Sequence, residues 1–272
     1  VVTPEQATMQ AQKEIVRLHP NHGTLNIDIV SFERLAYRIF SELSLPQPEV
    51  LDDTGKNMVL RKLAGEKMDE LTMFSSHLNR PGFISEIKSM LSELYQYGAT
   101  PEDLKAQTAG EHVGQILAAK LSDMEVIFEA FREFTKEKYI TLEELLDVLC
   151  QVADQSALLK DSTMVLDGYT GFTPIQYRLI GILLKLCRNV FVTVSATMEP
   201  GMDLTAESDE TDLFDMSRKM TGKLKQLAEE NGAKIYQDLV FSKRPLVRFR
   251  NSPALDHLER TFFRYPYTRY YG

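Results

Sequence analysis

Hydrophobic and polar positions along the chain follow two rhythms. Short, nearly continuous apolar runs occur at residues 163–167 (TMVLD) and 190–195 (VFVTVS), and each reads as a buried strand. Residues 1–3 read as the end of another such strand, and residues 26–31 (NIDIVS) as a short β-branched one. A last strand is predicted over residues 234–241. Helical spacing fills the gaps. Pro4 suits the first turn of a helix reaching Leu18, since its missing N–H has no partner there anyway. Leu35, Ile39 and Leu43 mark a helix over 32–43. Thr173 as N-cap and Pro174 as first helical residue open a helix over 173–187. A helix over 211–231 is predicted to stop at Gly232.

The middle of the chain differs. From about residue 51 to 160 there is no strand-like run. Amphipathic helices follow one another, marked by Ile84, Ile87, Leu91 and Leu94, then Ile127, Phe128 and Phe131, then Leu142, Leu145, Leu146 and Leu149. Spacings of three and four place each set on one face. Buried strands joined by helices imply a parallel sheet covered on both faces. The predicted fold class is therefore a doubly wound α/β sheet interrupted by an all-helical subdomain.

Composition narrows the function. The chain has 272 residues, 43% of them hydrophobic and 26% charged, which excludes a disordered or fibrous protein. A net charge of −8 makes any nucleic-acid contact local. The longest apolar stretch, around residues 179–187, is broken by Gly181 and Lys185, too short for a bilayer. The expectation is no membrane contact and a cytoplasmic location. Cys150 and Cys187 are the two cysteines, too few for a disulfide framework or a four-thiolate metal site, and both read as buried reduced thiols. The chain opens on Val1 with no Met, which reads as a piece of a longer protein.

In a parallel α/β sheet, ligands sit beyond the carboxyl ends of the strands. Thr3-Pro4-Glu5-Gln6 and Asp167-Gly168 fall there. An apolar strand ending in Asp is where nucleotide hydrolases hold Mg²⁺, although most such residues only cap the following turn. Asp52-Asp53-Thr54-Gly55-Lys56-Asn57 invites a phosphate-loop reading, but it lacks upstream glycines and a preceding strand, so a helix start is expected. The acidic residues Glu199, Asp203, Glu207, Asp209, Glu210, Asp212 and Asp215 fit no EF-hand spacing and read as a solvated loop. The histidines at positions 19, 22, 77, 112 and 257 show no metal-ligand spacing.

Residues 167–177, DGYTGFTPIQY, resemble the superfamily-one DNA helicases of the UvrD type, which carry a strand ending in Asp-Glu, then Gln-Asp-Thr, then Asn-x-x-Gln-Tyr. Asp167 falls on their magnesium Asp, and Gln176 and Tyr177 on the final pair. VVTPEQA resembles their strand ending in Thr-Asn-Lys-Ala-Ala, and IVSFERLAYRIF their Thr-Phe-His motif. The departures are as informative. Gly168 replaces the water-polarising Glu, Gly171 the Asp of Gln-Asp-Thr, and Ser195-Ala196 the Gly-Asp of the next motif. Phosphoryl transfer depends on positioned charge, so these losses predict no turnover. No GxxxxGK followed by Ser or Thr occurs in the chain.

A motor-like pattern with degenerate hydrolytic residues is similar to the B subunit of the bacterial AddAB (RexAB) helicase–nuclease. TPEQAT, VSFERLAYRI, LDDTGKNMVLRK and LDGYTGFTPIQYRLI carry that likeness. It implies a RecA-like α/β domain in two parts, 1–50 (phosphate loop missing) and 161–242, with a helical subdomain over 51–160 and a linker over 243–272. It implies pairing with an AddA/RexA-type helicase–nuclease partner and processing of double-strand DNA ends for recombinational repair. The B subunit guides single-stranded DNA and contributes to reading the Chi sequence. Mg²⁺ and ATP belong to the parent protein and are expected to bind weakly or not at all here. An iron–sulfur cluster is expected only in a C-terminal nuclease domain outside this chain. By analogy with helicase contacts, Thr3, Pro4, Glu5, Gln6, Ser31 and Phe32 would lie near the DNA strand or nucleotide cleft. Asp167 would be a vestigial Mg²⁺–nucleotide ligand, with Gln176 a coupling residue beside it.

The last thirty residues differ in charge. Lys243, Arg244, Arg248, Arg250, Arg260, Arg264 and Arg269 outnumber Asp256 and Glu259, for a net +5 against −13 on the rest. Seven aromatic residues are interleaved. Arginine with aromatic rings is the chemistry of single-strand binding, so Arg248 and Arg250 are candidate DNA contacts. The reading weighed against this, and preferred for the stretch as a whole, is a linker whose rings pack on a following domain. Two rival readings of the whole chain are an autonomous P-loop-type ATPase or helicase, and an α/β-helical scaffold with no nucleic-acid role.

Overall fold

The computed structural model describes residues 1–272 apart from 48, 109–113, 137–138, 197–211, 242–246, 263–264, 267 and 272. In chain order the described elements begin with α1 (Thr8–Leu18), α2 (Phe32–Glu42), β1 (Glu49–Val50) and α3 (Asp53–Glu66). Then come α4 (Phe83–Gln96), α5 (Pro101–Thr108), α6 (Gln115–Thr135), β2 (Tyr139–Ile140) and α7 (Leu142–Val152). The chain continues through β3 (Thr163–Leu166), α8 (Pro174–Leu186), β4 (Asn189–Val192), α9 (Asp215–Glu230) and α10 (Pro253–Thr261). The architecture is mixed, with many helices around small parallel sheets.

β3 and β4 pair in parallel, Thr163 opposite Asn189 and Leu166 opposite Val192. Val2 bridges Leu166 on one side and Val30 on the other, again in parallel. The Thr3 N–H donates to the Val30 carbonyl and the Asp167 N–H to the Val2 carbonyl, both at 2.9 Å. Four parallel segments thus lie side by side in the order Val30, Val2, β3, β4. Only the ends of the two predicted N-terminal strands join the ladder. Pro4 stays extended (φ −53°, ψ 144°) and a 3₁₀ turn over Glu5–Ala7 precedes α1, so that helix starts later than predicted.

Two apolar cores form. The first buries Val2, Ala36, Ile39, Leu145, Leu149, Leu166, Leu179 and Leu183, combining the sheet with α2, α7 and α8. The second buries Leu60, Ile87, Leu91, Ile127, Phe128 and Phe131 from α3, α4 and α6. Each fully buried side chain of this size contributes about 1.5–3 kcal/mol. α7 lies within residues 51–160 but packs on the first core, against α2 and α8.

Residues 51–160 are not purely helical. Tyr139–Ile140 forms β2 and pairs in parallel with β1, Glu49 opposite Tyr139 and Val50 opposite Ile140. Two-residue strands are too short to leave a readable alternation. The strand predicted over 234–241 is absent. Leu239 and Phe241 are 77% and 88% exposed, and no ladder forms there. Apolar residues alone make no strand when nothing pairs the backbone groups. α9 occupies the region of the predicted helix over 211–231; residue 211 lies outside the described residues. It ends at Glu230, with Asn231 as C-cap, followed by Gly232 at φ +67°.

Asp52 caps α3, its carboxylate accepting the Gly55 N–H at 2.6 Å, so the Gly-Lys stretch is a helix start. The acidic residues 199, 203, 207, 209 and 210 lie outside the described residues. Asp212 accepts the Phe214 N–H, and Asp215 opens α9. Among the described residues no helix is long and apolar enough to cross a membrane, and no group of three or more His, Cys, Asp or Glu could hold a metal ion.

Candidate functional site

Because the four segments run parallel, their carboxyl ends share one edge. The first residue past each is polar: Ser31, Thr3, Asp167 and Thr193, in spatial order. The chain order across the sheet is second, first, third, fourth, so the connections diverge between the Val2 segment and β3. Ligands in open α/β sheets bind outside the carboxyl ends at such a switch point. Thr3 and Asp167 flank it.

Each of these residues is held differently. Thr3 is fully buried, and its hydroxyl has no hydrogen-bond partner among the described residues. A buried hydroxyl left unpaired costs about 1–3 kcal/mol. Asp167 is half-buried, and its Oδ1 accepts the Thr193 hydroxyl at 2.6 Å. The Thr193 oxygen in turn accepts the Gly168 N–H at 3.2 Å. Gly168 sits at φ +80°, left-handed backbone that a side chain disfavours. Ser31 caps α2, its hydroxyl accepting the Arg34 N–H at 3.3 Å.

The residues singled out by the sequence gather here unevenly. Pro4 lies 3.6 Å from where a Cβ on Gly168 would stand. Glu5 pairs with Arg34 at 2.9 Å, tying the 3₁₀ turn to the first turn of α2. Gln6 is exposed on that turn. Phe32 is buried and packs against Tyr169 and Phe172, with ring centroids 5.6 and 6.3 Å away. Burial raises the Tyr169 phenol well above its ordinary range, and the nearby Glu5 charge adds to the shift. The loop after Asp167 is thus glued to the motif at Ser31-Phe32 by aromatic packing.

Gln176 stands apart from the carboxylate in its bonding. It closes a capping box on α8: its Oε1 accepts the Thr173 N–H at 3.0 Å while the Thr173 hydroxyl accepts the Gln176 N–H at 3.4 Å. Arg248 and Arg250 are exposed beside a C-terminal 3₁₀ turn that packs against α10, with Arg248 over the Phe249 ring at 5.0 Å. Of the same basic stretch, residues 243, 244, 263, 264 and 267 lie outside the described residues.

Two buried charged centres lie outside the site residues that the sequence singled out. Asp123, 1% exposed, accepts the N–H groups of Thr72, Met73 and Phe74 and the Thr72 hydroxyl, all within 2.7–2.9 Å. Its one signal is a carboxylate on the same helical stripe as Ile127 and Phe131. Lys56, 7% exposed, lies 3.7 Å from Glu143. It shares the stripe of Leu60 and Leu63.

The molecule is thus a parallel α/β protein whose switch point carries a buried, unpartnered threonine hydroxyl and an edge aspartate, with a separate helical core attached. Residues 1–259 match the family model described as "ADDB, N-terminal", and the chain belongs to that family. It is similar to the B subunit of the ATP-dependent helicase/deoxyribonuclease of Lachnoclostridium phytofermentans, with 41% identity over 98% of this chain and 23% of that protein. The proteins of the same name from Clostridium novyi and Acetivibrio thermocellus are 30% and 29% identical over 99% of this chain. The chain spans about a quarter of the length of these curated relatives, 23% in each case.

Proposed function

We propose that the chain is a helicase-like, motor-inactive region of the B component of a helicase–nuclease. In this reading the sheet and its flanking helices are a RecA-like domain formed by residues 1–50 and 161–242. Residues 51–160 form the inserted subdomain and 243–272 a basic, aromatic linker. The region guides single-stranded DNA from double-strand ends, contributes to Chi recognition and pairs with an AddA/RexA-type partner in an enzyme that processes breaks for recombinational repair. The observation that carries the reading is the switch point, where Thr3 and Asp167 stand side by side at the carboxyl edge of a parallel sheet.

The donor set argues against an engine. A Mg²⁺ ion needs several oxygens, and a hydrolytic site needs a second carboxylate to orient water. Among the described residues this edge offers Asp167, one oxygen of which already accepts the Thr193 hydroxyl, with Gly168 next to it and Glu5 paired with Arg34. The described residues do not make a protein-held Mg²⁺ site.

Salt-dependent binding of a fluorescent single-stranded oligonucleotide to the 272-residue chain tests the proposal. Binding should weaken linearly on a logarithmic salt scale. Replacing Arg248 and Arg250 with Ala should make that slope shallower by about 1.4, the value for two phosphate contacts on a single strand. Absence of binding at the lowest salt favours the scaffold. ATP turnover abolished by Asp167→Ala would overturn motor inactivity.

A further inference from the structure

Both passages of the chain between the two cores run through the β1–β2 ribbon. Val50 and Ile140 pack on the first core, while their neighbours Leu51 and Tyr139 pack on the second. Successive side chains of a strand point to opposite faces, so this two-residue ladder turns one face to each core. The Leu51 N–H donates to the Ile140 carbonyl at 3.0 Å and extends the ribbon by one bond. Both following helices are capped as soon as they leave it, α3 by Asp52 and α7 by Thr141. Among the described residues the main helix packing lies within each core: α3 with α4 and α6, and α5 with α6, on one side; α2 with α7, α7 with α8, and α8 with α9 on the other.

One buried ion pair crosses beside this ribbon. Lys56, in the first turns of α3, faces Glu143, in the first turn of α7, with side chains 9% and 14% exposed. Their 3.7 Å separation is too long for a hydrogen bond, and Glu143 Oε2 has no hydrogen-bond partner. A desolvated pair with such geometry is a poor adhesive compared with two apolar side chains of equal volume. It does enforce one arrangement, because parting the two charges strands each of them.

Residues of the two bodies also line one cleft of about 290 Å³. Gln96 and Tyr97, at the end of α4, line one side. Phe172, Thr173 and Gln176, from the loop after Asp167 and the start of α8, line the other with Met216 of α9. A rotation about the ribbon would change the width of this cleft more than anything inside either core.

We propose that the body formed by α3–α6 swings as a unit about the β1–β2 ribbon, and that Lys56–Glu143 is the latch holding it closed over the loop of residues 170–176. A few element-terminal residues absorbing the motion is the usual construction of a hinge.

Hydrogen exchange on the 272-residue chain tests this. In the native protein, a denaturant series should show the amides of residues 49–52 and 139–142 exchanging through a small opening that precedes unfolding of either core. Glu143→Gln should speed their exchange about tenfold or more, with peptides around Leu60, Phe131 and Leu179 unchanged. The apolar pair K56M/E143L should return the ribbon to wild-type exchange or slower. The latch is refuted if Glu143→Gln leaves the ribbon unchanged, or if K56M/E143L exchanges as fast as Glu143→Gln. The hinge is refuted if ribbon and core amides exchange together at every denaturant concentration, a result that stands even if the single variant does not fold.

Discussion

The Thr193 hydroxyl at the end of β4 donates to Asp167 Oδ1 at the end of β3, and the Thr193 hydroxyl oxygen accepts the Gly168 N–H. One side chain thus fixes both the edge carboxylate and the turn that follows it. Thr193→Val keeps the β-branched shape and removes both bonds. The expected loss is about 0.5–1.5 kcal/mol, small because the site is exposed and water can replace the partners. Urea denaturation of the two proteins measures it.

Asp123 gives the opposite case. Its carboxylate is buried and accepts four hydrogen bonds from residues 72–74. Asp123→Asn would turn an NH₂ group toward backbone donors. A loss of about 3 kcal/mol or more is expected, since buried donors are left facing each other. Thermal unfolding followed by circular dichroism should show a lower midpoint.

Glu42 makes stability depend on acid. Partial burial pushes its pKa up, but hydrogen bonds from Ser156, Leu158 and Ala157 and the charge of Arg38 outweigh this, leaving the carboxyl below its ordinary 4.5. A depressed carboxyl contributes stability that is whole above the unfolded pKa and drains as pH falls through the folded one. Stability should therefore decline below about pH 4.5, and Glu42→Gln should flatten that decline. Denaturation curves from about pH 3 to about pH 7 check it.

Two glycines should respond with opposite signs. Gly168 has φ +80°, and Gly168→Ala should cost about 1–2 kcal/mol. Gly222 lies inside α9, where an added Cβ meets nothing within 4 Å. Gly222→Ala should gain about 0.5–1 kcal/mol from helix propensity. Paired melts of both variants distinguish the signs.

Cys150 is 8% exposed, and burial pushes its thiol up to about 11. Its thiolate fraction at pH 8 is then about one in a thousand. Alkylation of Cys150 should be slow in the folded chain and rise sharply in denaturant, as peptide mass mapping would show.

The start of α8 was legible because its signal is local. Thr173 and Pro174 specify cap and first residue in adjacent positions, and the helix begins where they say, while the capping box closed by Gln176 emerged only in the structure. The strand at 163–166 was legible for a similar reason, since Thr163 and three apolar residues closed by Asp167 need no distant partner to be recognised. The strand predicted at 234–241 failed because a strand exists only through its neighbour, and a short run of residues carries no information about whether one is available.

What the sequence determined by itself is what short-range chemistry settles: the helix starts, the apolar faces, the polar residues that end the strands, and the motifs that carry the family likeness. Tertiary structure decided which strand ends lie together, so that Thr3, Ser31, Asp167 and Thr193 share an edge across 190 residues of chain. It also decided that Asp123 and Lys56, charges on apolar stripes, would find partners 49 and 87 residues away. Hydrogen bonds and ion pairs between distant residues depend on how whole elements pack, and no local pattern encodes that.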